Sequence, residues 1–353
     1  MAKLFGQDFS RAELCRRFGD LSQIADAREG VLTGGRADQM RVVDVSTGSG
    51  LAFTVFPSRG MDIGWASYQG RPISYMSPTG PVKAEFHEPA GSGFMRSFFC
   101  GLVTTCGITQ MGRPCEDGGE TLGQNGRLSH TPAHDVFVRR EWEGDDYLIT
   151  VGGQMREGCL FHENVLVQRT ITTKLGGNSL LLRDHVENQG FRTAPLLLMY
   201  HINFGYPVLS ERTRLHLSAP TEIRPRDARA EEGLEQVLQY CGPTAGFIEQ
   251  VYYHTLSQDS DRMTACLYNE DMRYGAYIRF NPRQLPYICH WKMCGEGEYV
   301  TGVEPANAPT AGRAALREAG CLPALEPGET TDFQVEIGVL TGVEDLERTL
   351  AGL

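Results

Sequence analysis

Residues 331–339 read TDFQVEIGV. Phe333, Val335, Ile337 and Val339 alternate with Gln334, Glu336 and Gly338, the period-two pattern of a strand buried on one face and wet on the other. Working outward, similar extended runs recur along the chain at Arg41–Val45, Ala52–Phe56, Tyr147–Val151, Val165–Thr172, Ser179–Val186, Pro195–Phe204, Tyr274–Phe280 and Leu285–Met293, separated by Gly, Pro or Asn. Lys174–Asn178 (KLGGN) sits between two of them and reads as a hairpin connection, because Gly and Asn accept positive φ at little cost. Helical patterning is confined to Ser10–Arg17, with Ser10 as N-cap, Ala228–Val237 and Val343–Leu350. None is long enough to organise a domain. The expectation is an all-β fold, one β-sandwich-like domain over 1–353 with a few short helices, in which 1–30 form a partly helical N-terminal extension.

Composition agrees. Gly supplies 41 of 353 residues and Pro 18, a Gly share well above the usual ~7%, which implies many turns joining short strands. Acidic residues outnumber basic ones by 44 to 33, for a net charge of −11, and no basic run could neutralise phosphates, so nucleic acid is not an expected partner. The first residues, MAKLFGQDFSRAELCRRF, are broken by charge every few positions and lack the apolar core of an export signal. No stretch approaches the ~20 apolar residues of a membrane helix. A cytoplasmic protein without a membrane partner is expected. The ten cysteines contain no CxxC pair and are expected to be reduced. Cys100, Cys106, Cys159, Cys266 and Cys289 lie in apolar runs and read as core residues.

Four segments carry side chains suited to chemistry. In LLLMYHINFGYP (196–207), His201 and Asn203 are two apart at the end of an apolar strand and so share a face. A lone His is more often a hydrogen-bonded core residue, but Asn203 and the strand-end position favour a site. Glu304 ends a short extended stretch, and Pro305 after it presents the carboxylate at a turn; a solvated loop Glu is the plain alternative. The polar turn from Gln124 to Thr131 gathers Asn125, Arg127 and His130, able to grip hydroxyls or simply to cap a turn. Arg59 and Asp62 bracket Gly60 in SRGMDI (58–63), as ligand contacts or as a structural ion pair, and Trp291 beside Lys292 offers an aromatic platform with a cation or ordinary core packing.

Taken in order, SRGMDI, CGLVTTCG (100–107), NGRLSHTPA (125–133), RTITTKLGGNSL (169–180), LLLMYHINFGYP, GVEPAN (302–307) and EIGV (336–339) resemble the DUF4432 group of the aldose 1-epimerase, or galactose mutarotase-like, superfamily. The resemblance covers nearly the whole chain. It implies a β-supersandwich with a shallow polar cleft, a carbohydrate ligand, and an isomerase in which His201 is general acid and Glu304 general base. Arg59, Asp62, Asn125, Arg127, His130, Asn203, Trp291 and Lys292, from the segments above, are the candidate binding residues. The acid–base pair suits ring opening of a cyclic hemiacetal, in which one proton leaves the anomeric hydroxyl as another reaches the ring oxygen. That chemistry requires no cofactor and no metal. One departure stands out: where relatives carry HGR, this chain has Asn125 before Gly126 and Arg127, and His130 follows. Asn can bond a sugar oxygen but holds no charge, so the change bears on substrate orientation.

Three other readings compete. Metal binding by His130, His134 and His201 with Glu120 or Glu304 matches no standard ligand spacing. A non-catalytic sugar-binding or regulatory protein would keep the same cleft. Isomerisation or epimerisation of a keto sugar would use the same pair, since one scaffold hosts many reactions. Arg59, Arg127 and Lys292 would favour an acidic or phosphorylated sugar if all pointed into the cleft. A homodimer is compatible with the chain.

Overall fold

The alternating segment lies in the strand Thr330–Leu340, with Phe333, Val335, Ile337 and Val339 all buried. The computed structural model describes residues 1–353, and this strand sits inside an eight-stranded antiparallel sheet. Its order is His134–Glu143, Asp146–Gly158, Asn164–Lys174, Ser179–Asn188, Thr330–Leu340, Tyr274–Phe280, Met263–Asn269 and Thr213–Leu217. A second, eleven-stranded sheet packs against it. Its central strands run in the order Gln250–Leu256, Tyr287–Gly295, Glu298–Ala306, Leu197–Phe204, Val103–Ile108 and Asp62–Tyr68. A cluster of 57 buried apolar residues lies between the sheets, drawing Val55, Ile63, Tyr200 and Ile202 from the larger and Val151, Leu182, Ile278 and Val335 from the smaller.

The hairpin at Lys174–Asn178 forms as expected, with Gly176 at φ +77°. Ser10 caps the helix Arg11–Arg17 through a reciprocal pair: its hydroxyl accepts from Glu13 N (3.3 Å), and the Glu13 carboxylate accepts from Ser10 N (2.9 Å). Ala2, Leu4, Phe9, Leu14, Ala25 and Ala27 join the main core, so the first thirty residues are packed rather than appended.

Three expectations need correction. The run 228–237 is not one helix but Ala228–Glu231 and a separate 3₁₀ turn at Leu234–Gln236. Gly233 lies between them, where a Cβ would fall 2.5 Å from the Tyr252 hydroxyl oxygen. Cys159 is exposed, because the apolar run around it is a turn whose Leu160 and Phe161 face solvent. Glu304 is not presented at a turn: Glu298–Ala306 continues through it and Pro305 as one strand, and Glu304 is buried.

Leu197–Phe204 shows how period two acts when both faces are covered. Leu198, Tyr200, Ile202 and Phe204 enter the inter-sheet core, while Leu197 and Met199 join a separate cluster on the outer face, with His201 and Asn203 following them.

Candidate active site

Strand register brings the acid–base residues together. Asn203 pairs with Gly302 and Met199 with Ala306, which sets His201 opposite Glu304. On the far side of Glu304 the partner is Cys289, and on the far side of His201 it is Thr104. Side chains opposite one another on neighbouring strands share a face at close range, and the Nδ1 of His201 lies 3.1 Å from Oε1 of Glu304.

The proton on the imidazole can be assigned from Asn203. Its Nδ2 donates to the carbonyls of His201 (2.9 Å) and Cys100 (3.2 Å), which fixes its Oδ1 as an acceptor 2.6 Å from His201 Nδ1. The neutral ring therefore carries its hydrogen on Nδ1 and leaves Nε2 as a lone-pair nitrogen without a protein partner. Glu304 Oε1 is fully buried and has no hydrogen bond. Room for it comes from Gly302, where a Cβ would stand 2.0 Å from that oxygen.

Burial governs the charge state of both groups. It pushes the Glu304 carboxyl well above the usual carboxylate range, against the pull of the adjacent Cys289 thiol. It lowers His201 to about 4, against the bond to Asn203. Burial thus disfavours the charged form of both groups, which keeps the His201 imidazole neutral near pH 7 and makes the Glu304 carboxyl readier than an ordinary carboxylate to hold a proton.

The two side chains open into a cleft of about 250 Å³. Phe98 and Trp291 flank the His201 ring edge-on, at centroid distances of 4.9 and 5.5 Å. The indole is fixed by donating to Glu249 Oε2 (2.8 Å), whose Oε1 pairs with Arg226 (2.9 Å). Asn125, at φ +61°, also lines the cleft; its Oδ1 accepts from Gly112 N (3.1 Å), and its Nδ2 has no protein partner. Asn adopts positive φ more readily than most residues, which is a local reason for Asn at this position.

The other expected contacts lie elsewhere. Arg59 is fully buried and donates to the carbonyls of Val82, Ser97 and Ser129, tying three loop segments together. Asp62 is fully buried between the sheets, 3.7 Å from Arg169, and burial raises it to about 6. Arg127 pairs with Glu120 at 3.3 Å. His130 bonds Ser97 Oγ (2.8 Å) and stacks on His87 at 3.8 Å. Asn203 acts through His201. Lys292 faces the opposite side of the sheet from Trp291, as alternation requires, and donates to the Gln236 carbonyl (2.9 Å). The structure therefore gathers His201, Glu304, Asn125 and Trp291 at the cleft, with Asn203 behind His201. Gly302, Phe98, Arg113, Glu249 and Tyr253 were not anticipated. Of these only Gly302, two residues before Glu304 in GVEPAN, carried a readable signal. A larger cavity of about 720 Å³ lies at the other end of the same sheet, around Asp44, Thr54 and Trp65, but holds no His or Glu. No three His, Cys, Asp or Glu side chains converge as metal ligands.

The model of a family described as a domain of unknown function, DUF4432, matches residues 37–339. The chain belongs to the DUF4432 family. A DUF4432 chain of this shape is similar to a crystal structure from Klebsiella pneumoniae provisionally named an aldose 1-epimerase, at TM-score 0.87 and 27% identity over 92% of this chain and 87% of that one. A galactose mutarotase-like protein from Clostridium acetobutylicum superposes at TM-score 0.63 with 13% identity, covering 90% and 99% of the two chains. Galactose 1-epimerase from Lactobacillus acidophilus does so at 0.58 with 12% identity, covering 90% and 99%. The fold is galactose mutarotase-like. No curated protein matches the chain. No helix is long and apolar enough to cross a membrane.

Proposed function

We propose that the protein is an aldose 1-epimerase-like isomerase that interconverts the anomers of a free sugar. The observation that carries this reading is the His201–Glu304 juxtaposition in the cleft, 3.1 Å from Nδ1 to Oε1, with Nε2 and Oε1 both unpartnered. When a sugar binds, its anomeric hydroxyl supplies the hydrogen bond that Glu304 lacks. This favours the carboxylate, whose proton leaves to solvent, while Nε2 of His201, the nitrogen with a free lone pair, takes one up from solvent. Glu304 then removes the hydrogen from O1 while His201 Nε2–H protonates the ring oxygen; the C1–O5 bond breaks and C1=O1 forms. Rotation about C1–C2 and the same transfers in reverse close the other anomer. Trp291 and Phe98 supply apolar faces for the ring, and Asn125 Nδ2 a donor to a sugar oxygen.

The shared core between the sheets supports reading 1–353 as one domain, and we place the protein in the cytoplasm. The test is NMR exchange of anomeric resonances over a panel of aldoses after metal chelation. Enhanced exchange of at least one sugar is expected. Binding without enhancement would favour a sugar-binding role instead.

A further inference from the structure

The guanidiniums of Arg113 and Arg226 and the carboxylate of Glu249 line the cleft beside His201 and Glu304, whose charged forms burial disfavours. Arg226 is already committed, to Glu249 at 2.9 Å and to Asp227 at 2.7 Å. Arg113 makes no ion pair, and its guanidinium donates no hydrogen bond. Of the carboxylates that follow it in sequence, Glu116 is exposed and pairs with neither Arg113 nor any other cation, while Asp117 holds Arg313 and Arg317 at 2.6 and 2.8 Å and Glu120 holds Arg313 and Arg127 at 2.7 and 3.3 Å. Of the two guanidiniums that line the cleft, that of Arg113 is the exposed one without an ion pair.

The backbone beneath it is fixed. Gly112 donates to Asn125 Oδ1 (3.1 Å) and accepts from Asn125 N (3.0 Å). At φ +82° it packs so tightly that a Cβ would meet the Thr310 carbonyl oxygen at 2.1 Å. The Arg113 carbonyl accepts from Gln110 Nε2 (2.7 Å), and Pro114 follows. The backbone under Arg113 is held, and its guanidinium, exposed and unengaged, is open to an anion in the cleft.

We infer that the cleft selects a sugar bearing one carboxylate, a uronate, held by the Arg113 guanidinium. This rests on the sugar-isomerase reading of the same cleft and narrows its substrate class. The planar fork of Arg matches a carboxylate through two parallel hydrogen bonds. One unpaired guanidinium balances a monoanion, whereas a phosphate dianion would keep a negative charge without a partner. The cleft, about 250 Å³, lies below the ~300–1,000 Å³ of sites for drug-sized ligands and suits a single monosaccharide.

The test separates binding from turnover. Saturation-transfer NMR on the Glu304→Gln protein measures affinity for galacturonate and glucuronate, the matching hexoses and their 6-phosphates. The expected result is tighter binding of a uronate than of its hexose or hexose 6-phosphate. Arg113→Gln in the same background is expected to weaken the uronate about 10- to 100-fold and to collapse its ratio to the hexose, with Arg113→Lys falling between. A hexose or hexose phosphate bound as tightly as the uronate, or a ratio unmoved by Arg113→Gln, overturns the inference. Anomer exchange by the native protein is scored separately: selective uronate binding without exchange keeps the inference and overturns the isomerase reading, and no binding of any sugar overturns both.

Discussion

Tyr200 and His201 are neighbours on one strand, yet they belong to two buried polar clusters of opposite character. Tyr200 points between the sheets and donates to Asp184 Oδ2 (2.7 Å). Asp184 takes both arms of Arg169 at 2.7 and 2.6 Å, and Arg169 reaches further to Thr105 Oγ1 (2.8 Å) and the Gly60 carbonyl (3.2 Å). Within this cluster Arg169 and Asp184 are fully engaged. Only Asp62, at its edge, keeps an oxygen without a partner. His201 points the other way, and its cluster is half filled: Nδ1 is held by Asn203, while Nε2 and Glu304 Oε1 wait for partners. A completed buried network fixes the geometry of a fold, whereas unmet hydrogen-bonding capacity beside a cleft is available to a ligand.

The largest expected effects set the two clusters apart. Glu304→Gln and His201→Ala each lower the anomer-exchange rate by about 10²–10⁴-fold, without lowering the urea midpoint. Asp184→Asn does the reverse in kind: it leaves Arg169 short of its charge partner between the sheets and costs about 3–5 kcal/mol of stability by urea titration. If Asp184→Asn proved neutral for stability, the contrast would fail. Next comes Gly302→Ala, whose methyl would stand 2.0 Å from Glu304 Oε1 and push it aside. Displacing a reacting group by about 1 Å costs up to ~10²-fold, so exchange falls while the fold persists in near-ultraviolet dichroism.

The pH dependence sharpens the same point. Below about 4, where His201 is protonated in the folded state, the pair holds two protons and lacks a base. Above the raised value of Glu304 it holds none and lacks an acid. Exchange is therefore expected on a plateau between these limits, falling on both sides. The smallest effect belongs to Lys292→Ala. Its ammonium lies behind the sheet, so exchange should stay within about twofold of native even if the melting temperature drops.

Much of this was readable in the chain. Strand alternation in 331–339 and the Gly-rich turns announced a β fold, and the two-residue spacing of His201 and Asn203 gave a shared face that the structure bears out. What escaped is what depends on long-range register. Glu304 looked like a turn residue because Pro305 follows it, but Pro305 is accommodated within the strand, and the register that sets Glu304 opposite His201 joins segments about one hundred residues apart in sequence. Arg59 and Lys292 looked available because local sequence does not show which carbonyl will take a cation. Arg113 drew no notice for the same reason: being unpaired is a property of its neighbours.

The most direct test of the central claim is exchange spectroscopy of anomeric protons with chelated native protein and with Glu304→Gln, over the same sugars and protein concentrations. The account predicts exchange faster than the buffer rate for native protein and a return to about the buffer rate for the variant, with both proteins equally folded. Equal enhancement by the two, or none by either across the panel, would contradict the assignment of His201 and Glu304 as the proton-sharing pair of an isomerase.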